Sequence, residues 1–387
     1  MIARRQLPVA SPISLRSLAH ATAAIATEPG RQAQRSLDAL RAHRVPDALL
    51  LTDSGTSALV VALRLAVAEH GTVGFPGYAC VDLAAAARFA GVRVRLYDLD
   101  PETLSPDLAS VHALLKRGVD AIVVAHLFGY PADVPAVTHL ARAAGVPVIE
   151  DAAQGAGATW EGRTLGTFGD LGILSFGRGK GLCAGGGGAL IGSGPEWADR
   201  VGSIRLGTGK RGWGALLGTA VQWTLGRPAI YGLPASLPWL HLGEMRYHPA
   251  HEPVAMATAS TALLPTALEM EADAVITRRR TAHALEDAVR SVPNARTPIF
   301  PDVAQPSYLR LVVRDLGGNR RSEPALGIVQ PYPRTLAEQA ELAPVLVAGE
   351  PVTSGANELR RSLFTLPTHH LVSPQDIASL QRWIVRG

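Results

Sequence analysis

The sequence predicts an α/β fold whose mostly parallel sheet is covered by helices on both faces. From about residue 47 to 192, short apolar runs alternate with helical stretches. Several of the runs end in small, hydroxyl-bearing or acidic residues, where such sheets bind their ligands. At 387 residues the chain is too long for one small core and suits a large domain with a smaller one.

The elements follow in order. A strand over 48–52 meets the turn Asp53-Ser54-Gly55-Thr56, and a helix over 57–69 follows. A strand at 72–75 stops at Pro76-Gly77, 81–90 reads as helix, and 92–97 alternates as a strand does. Helix 108–116, strand 121–126, helix 134–144, strand 146–150 and strand 172–176 continue the rhythm. Beyond it, 254–289 reads as long helix with an interruption expected at Pro265, and 310–314 reads as a strand. Residues 374–385 form an amphipathic helix with Ile377, Leu380, Trp383 and Ile384 on one side. The expected organisation is an N-terminal arm (1–46), a large domain (47–250) and a smaller C-terminal α+β domain (251–387).

Residues 212–243 interrupt the large domain. The run 212–226 is uncharged, includes Leu216, Leu217, Val221, Trp223 and Leu225, and has 15 residues. That is short of the roughly 20 needed to span a bilayer. Pro228, Pro234 and Pro238 follow. The first reading is an insertion that packs on the body or at a dimer interface; the second is contact with a membrane or a lipid-linked substrate.

Hydrophobic residues make up 47% and charged residues 18%, a globular composition. The net charge of +4 comes from scattered basic residues. The densest run, Arg278-Arg279-Arg280, is expected to be a solvated helix face. Without a basic stripe interleaved with aromatics, no nucleic-acid partner is expected. Cys80 and Cys183 make neither a disulfide framework nor a metal set, so no metal is expected and a reducing, cytoplasmic setting is the default. Arg4-Arg5 precede a stretch broken by Pro8, Pro12, Arg16 and His20, unlike a signal peptide. It reads as an arm packed on the body or on a partner subunit.

Four features at predicted strand ends carry chemistry. Ser54-Gly55-Thr56-Ser57 opens a helix: Gly55 permits a tight turn, while free N–H groups and the hydroxyls of Thr56 and Ser57 form a cup for phosphate. The same residues also serve as ordinary caps. Glu150-Asp151 ends an apolar run, where a carboxylate needs a partner such as a pyridinium nitrogen; an acid capping a turn would read alike. Ala152 and Ala153 are small enough for a flat ring to lie against the backbone, and Gln154 beyond them could donate to a ring hydroxyl. In Ser175-Phe176-Gly177-Arg178-Gly179-Lys180-Gly181 a lysine stands between glycines, with Ser175 adding a hydroxyl to the cup. In solvent this is a loop lysine; walled in, its amine becomes a nucleophile toward a carbonyl. Cup, acid and lysine occur in that order, with 29 residues from Asp151 to Lys180. Pyridoxal 5'-phosphate (PLP) needs all three. A P-loop is excluded because Gly181, not Ser or Thr, follows Lys180, and no Gly-x-Gly-x-x-Gly follows the first strand.

These segments resemble the DegT/DnrJ/EryC1/StrS family of sugar aminotransferases, of PLP-dependent fold type I. The likeness runs from about residue 49 to 190 and resumes near the C-terminus. It rests on Ser54-Gly55-Thr56-Ser57-Ala58-Leu59, Pro76-Gly77-Tyr78 and His126-Leu127-Phe128-Gly129-Tyr130-Pro131. It continues through Ile149-Glu150-Asp151-Ala152-Ala153-Gln154-Gly155, Gly166-Thr167-Phe168-Gly169-Asp170, Lys180 with Gly186-Gly187-Gly188, and Leu366-Pro367-Thr368-His369. The resemblance implies that Lys180 is the Schiff-base lysine, Asp151 the partner of the pyridine nitrogen, and Gln154 the holder of the ring hydroxyl. Thr56, Ser57 and Ser175 would hold the phosphate, with Gly55, Tyr78 and Ala153 completing the cofactor site. The implied reaction moves an amino group from a donor, glutamate by expectation, to a keto group on a nucleotide-linked sugar, at the interface of a homodimer.

Three departures stand out. Cys80 replaces an aromatic that many members place against the ring, Ala156 replaces a His, and the Asn-Tyr-Arg segment donated across the dimer is not evident. The nearest stretch is Glu244-Met245-Arg246-Tyr247-His248. The alternatives are a PLP enzyme with a non-sugar or lipid-linked acceptor, and a non-catalytic regulatory relative. Dehydratase relatives carry His where this chain has Lys180.

Overall fold

The computed structural model describes residues 4–27, 29–44, 46–236 and 247–386. The end of the insertion (237–243) and Glu244-Met245-Arg246 lie outside the described residues.

The N-terminal region is more helical than an arm: α1 (Leu15–Thr27) and α2 (Pro29–Arg44) precede the first strand. The residues ahead of α1 lie along the body. Gln6 N–H donates to Ala325 O at 2.9 Å, its Nε2 to Leu371 O at 3.1 Å, and His369 Nε2 meets Leu7 O at 3.0 Å.

The βα rhythm then runs β1 (Ala48–Thr52), α3 (Gly55–Ala66), β2 (Thr72–Pro76), α4 (Asp82–Ala90), β3 (Arg93–Tyr97), α5 (Leu108–Lys116), β4 (Ala121–Ala125), α6 (Val134–Ala143) and β5 (Val148–Asp151). A small hairpin, β6 (Thr159–Trp160) and β7 (Arg163–Thr164), leads to β8 (Leu171–Ser175) and β9 (Gly188–Gly192). The central sheet has the order β1-β9-β8-β5-β4-β2-β3. Only β9 runs against its neighbours; the β8-β5-β4-β2-β3 pairings are all parallel. β2, β4 and β9 are buried along their whole length, as strands covered on both faces must be. Helix α3 starts two residues earlier than its apolar pattern suggests. Ser54 is extended and its Oγ accepts from Ser57 N–H at 3.0 Å, which caps the helix at Gly55.

After β9 come α7 (Pro195–Ser203), α8 (Trp213–Leu225) and α9 (Pro228–Ala235). The predicted long helix is two, α10 (Thr258–Glu269) and α11 (Glu271–Arg290), and the break falls at Met270 rather than Pro265. Pro265 leaves the Thr261 carbonyl without its helical donor. The Ser36 hydroxyl of α2 donates to that oxygen at 2.5 Å, so α10 runs through the proline. Glu271 and Asp273 then open α11, where acids suit the helix dipole.

The C-terminal part holds β10 (Ala295–Arg296), β11 (Ala304–Gln305), β12 (Leu311–Asp315), α12 (Ser354–Ser362), β13 (Leu363–Leu366) and α13 (Pro374–Arg386). β10, β12 and β13 make an antiparallel sheet, and β11 pairs with β6. α13 buries Leu380 and Ile384, with Ile377 and Trp383 packed beside them. The arginine run is not a solvated face. Arg278 is 2% exposed and its Nε donates to Ser307 O at 3.1 Å, while Arg279 Nε donates to Pro306 O at 2.8 Å. Burial pulls the Arg278 pKa down to about 10. The loop ahead of β12 covers this side of α11, which leaves Arg280 as the exposed member.

Among the described residues no helix is long and apolar enough to cross a membrane.

Candidate active site

The C-terminal ends of β1, β4, β5 and β8 converge on a cavity of 240 Å³. It collects Gly55 and Thr56 from the start of α3, Asp151, Ala153 and Gln154 from the end of β5, Ser175 from the end of β8, and Lys180 from the glycine loop before β9. Ser57 and Tyr78 do not line it. Ser57 is spent in the cap, where Ser54 Oγ lies 2.9 Å from its Oγ. Tyr78 is buried behind the wall, its ring centroid 5.1 Å from that of Tyr332.

At the start of α3, a Cβ on Gly55 would stand 2.8 Å from Ser175 Cβ and 3.0 Å from its Oγ. Glycine is therefore what lets the free N–H groups of the helix and the Ser175 hydroxyl share one space. The arrangement is a ready cradle for an oxyanion.

Glu150 and Asp151 point to opposite faces of β5. Glu150 is fully buried and accepts from His126 Nε2 at 2.8 Å, Gly166 N–H at 2.6 Å, Phe168 N–H at 2.6 Å and Gly169 N–H at 3.0 Å. Burial pushes its pKa up, but His126 and the amides outweigh that and hold it below the usual carboxylate range. His126 Nδ1 accepts from Ala132 N–H at 2.9 Å, so Nε2 is the ring nitrogen that donates to Glu150. Asp151 faces the cavity instead. Burial raises its pKa against the opposing pull of Ala153 N–H, 3.0 Å from Oδ1, and of the Lys180 charge. Among the described residues neither Asp151 nor Lys180 has an ion-pair partner within 4.0 Å.

Gln154 is fixed at both ends. Its Oε1 accepts from Phe128 N–H at 3.1 Å and its Nε2 donates to Tyr332 OH at 2.7 Å, leaving one amide hydrogen free. Phe128 takes a left-handed backbone (φ +56°), rare for its type, and its ring centroid lies 5.3 Å from that of Tyr332. The backbone of Lys180 is held by the N-terminal segment: the Ser11 hydroxyl donates to the Lys180 carbonyl.

The sequence reading missed Tyr332, Ser54 and Asp82 as cavity residues and noted Cys80 only as a departure. Ser54 was legible as a helix cap. Tyr332 lies far along the chain in an irregular segment, with no periodicity or spacing to mark it. Cys80 Sγ sits 3.2 Å from Asp82 Oδ2, and burial together with that carboxylate pushes its pKa up, so the thiol stays protonated.

The profile of the DegT/DnrJ/EryC1/StrS aminotransferase family matches residues 21–230, more than half of the chain. The chain belongs to this family. It is 40% identical over 167 residues to an L-glutamine:2-deoxy-scyllo-inosose aminotransferase of Streptoalloteichus tenebrarius, which is 42% of this chain and 38% of that protein. It is 37% identical over 139 residues to a UDP-N-acetyl-3-dehydro-alpha-D-glucosamine 3-aminotransferase of Acidithiobacillus ferrooxidans, 36% of this chain and 38% of that protein. The matches thus span about two fifths of these relatives' length. The fold extends further. The sugar aminotransferase CalS13 of Micromonospora echinospora superposes with a TM-score of 0.77 at 21% identity, covering 100% of both chains. The aminotransferase TlmJ of Streptoalloteichus hindustanus gives 0.76 at 23% identity, covering 99% of this chain and 98% of its own. The family's α/β fold with a mostly parallel central sheet, expected from the sequence, is the observed one.

Proposed function

We propose that this family member is a PLP-dependent aminotransferase that moves an amino group from glutamate or glutamine to the keto group of a nucleotide-linked sugar or a cyclitol. The observation that carries this is the shared cavity of Asp151, Lys180 and the α3 N-terminus. The family resemblance implies glutamate; the names of the relatives add L-glutamine and a cyclitol acceptor.

The residues fit PLP. The Gly55 cradle, which a Cβ would close, suits a phosphate, and Asp151 is a buried carboxylate with its pKa raised and, among the described residues, no ion pair within 4.0 Å. When bound, PLP supplies a carbonyl for the travelling amino group and a ring that stores an electron pair from a substrate carbon. The N–H groups of Gly55 and Thr56 and the Ser175 hydroxyl bind the phosphate. Asp151 keeps Oδ2 free for the ring nitrogen while Ala153 holds Oδ1. Gln154 offers its spare amide hydrogen to the ring hydroxyl. Lys180 Nζ would be the amine that holds the cofactor's carbonyl carbon, and when free it would be the base that takes the proton from the donor's α-carbon and the acid that returns one to the acceptor carbon. The donor leaves as a 2-oxo acid and the acceptor as an amine.

The test is transfer of labelled amino nitrogen from glutamine and glutamate to 2-deoxy-scyllo-inosose and to keto-sugar nucleotides, read by mass spectrometry. Labelled amino product is expected with at least one acceptor, and Lys180→Ala should lower its rate by about a thousandfold or more. Unlabelled products throughout, or full rate in Lys180→Ala, would contradict the reading.

A further inference from the structure

We propose that α8 docks the protein on an anionic lipid bilayer, with its apolar stripe in the acyl boundary and its flanking cations against the head groups. This takes up the second of the two readings of residues 212–243, and it stands whether or not the aminotransferase assignment does.

The first observation is the stripe. Trp213, Leu217, Val221 and Leu225 follow one another every four residues, which aligns them on one face of a helix. They are 54%, 66%, 43% and 39% exposed, and Leu233 of α9 is 48% exposed. Contiguous large apolar side chains on a surface mark an interaction site. The opposite face of α8 packs on the protein through Leu216 and Thr219.

The second observation is charge. Between Arg200, which pairs with Glu196, and Glu244 the sequence has no acidic residue, whereas it has Arg205, Lys210, Arg211 and Arg227. These four cations are exposed and have no carboxylate partner among the described residues. Arg227 lies over the Trp223 ring at 4.7 Å, an arrangement suited to the interfacial zone. A two-fold contact between copies through α8 would set Lys210, Arg211 and Arg227 against like charges, with no acid in 200–243 to pair them. An anionic surface complements both features at once. At 13 residues α8 is too short to span a bilayer, so the geometry is that of a helix lying in the interface.

The third observation is position. A Cβ on Gly185 would lie 2.3 Å from Thr219 Oγ1, so α8 rides directly on the glycine loop that carries Lys180. A docked α8 brings that loop to the bilayer surface.

The experiment is flotation of the full chain with phosphatidylcholine vesicles containing about three tenths phosphatidylglycerol, beside pure phosphatidylcholine vesicles. Wild type is expected to float with the anionic vesicles and to be released by salt. Leu217→Glu with Val221→Glu, and separately Lys210→Ala with Arg211→Ala and Arg227→Ala, should each weaken binding at least about tenfold. Circular dichroism and light scattering should show unchanged fold and oligomeric state in both variants. Wild type that ignores anionic vesicles overturns the proposal, as does binding insensitive to the paired glutamates. A drop in oligomeric state in the glutamate variant, with no vesicle binding by wild type, would assign the stripe to a second copy instead.

Discussion

Glu150 and Asp151 are neighbours with opposite tasks, and the alternation of a strand separates them. Glu150 is a structural anchor: one carboxylate ties His126 after β4 to the amides of Gly166, Phe168 and Gly169. Its depressed pKa means that it stabilises the fold fully above the ordinary carboxylate range and loses that contribution as pH falls through its folded value. Glu150→Gln is expected to cost about 3 kcal/mol at neutral pH, because the substituted amide turns an N–H toward donors, and to blunt the acid limb of stability. Urea unfolding at neutral and acidic pH checks both; a loss under about 0.5 kcal/mol would contradict the anchor role. At this scale the sequence spoke clearly where chemistry sits beside a strand end. Lys180, Asp151, Gln154, Ser175 and the Gly55-Thr56 turn were legible and share one cavity. Ser57 and Tyr78 were legible as motif members, but capping and ring packing place them behind its wall. Whether Glu150 or Asp151 faced the cavity depended on register, which a two-residue acidic pair leaves open.

The N-terminal segment, with the helices that follow it, shows what elements add. Residues 6 and 7 reach the loop after β13, and Ser11 reaches Lys180. His369 is the hinge of that contact. It is buried, its Nε2 meets Leu7 O, and burial pulls its pKa from 6.5 down to about 4. The folded protein therefore leaves this ring neutral in a window where the unfolded chain binds a proton. Its stabilising contribution is complete above pH 6.5 and declines as pH falls toward about 4. The decline amounts to about 3 kcal/mol. His369→Gln should remove that part of the pH dependence, so unfolding midpoints of wild type and variant should diverge at neutral pH and converge near pH 4. Parallel curves would contradict the assignment. Elements of the large domain were legible from periodicity to within one to three residues at most boundaries. The break in 254–289 was not, because a serine from another helix satisfies the carbonyl that Pro265 frees. The burial of Arg278 was equally hidden, since it depends on the loop before β12 and not on α11 itself.

For the whole molecule, the topology turns the loops after β1, β2, β4, β5 and β8 and one distant loop into a single cavity. β1, β4, β5 and β8 deliver residues from the first half of the chain, and Tyr332 closes the wall from the C-terminal part. Nothing local in the sequence marks Tyr332, since its place is set by long-range contacts such as the 2.7 Å hydrogen bond from Gln154 Nε2 to its hydroxyl. Glycine at 185 couples that cavity to α8, so the outer surface and the inner site meet through one loop. The central claim is that Lys180 is the amine that holds PLP. The chain has three lysines, Lys116, Lys180 and Lys210, so the assignment is a choice among few. The direct measurement is borohydride reduction of protein loaded with PLP, then digestion and mass spectrometry of the peptides. The account predicts a phosphopyridoxyl group on Lys180 and an unlabelled Lys180→Ala variant. A label on Lys116 or Lys210, or none on any lysine of a protein that still transfers amino groups, would contradict it.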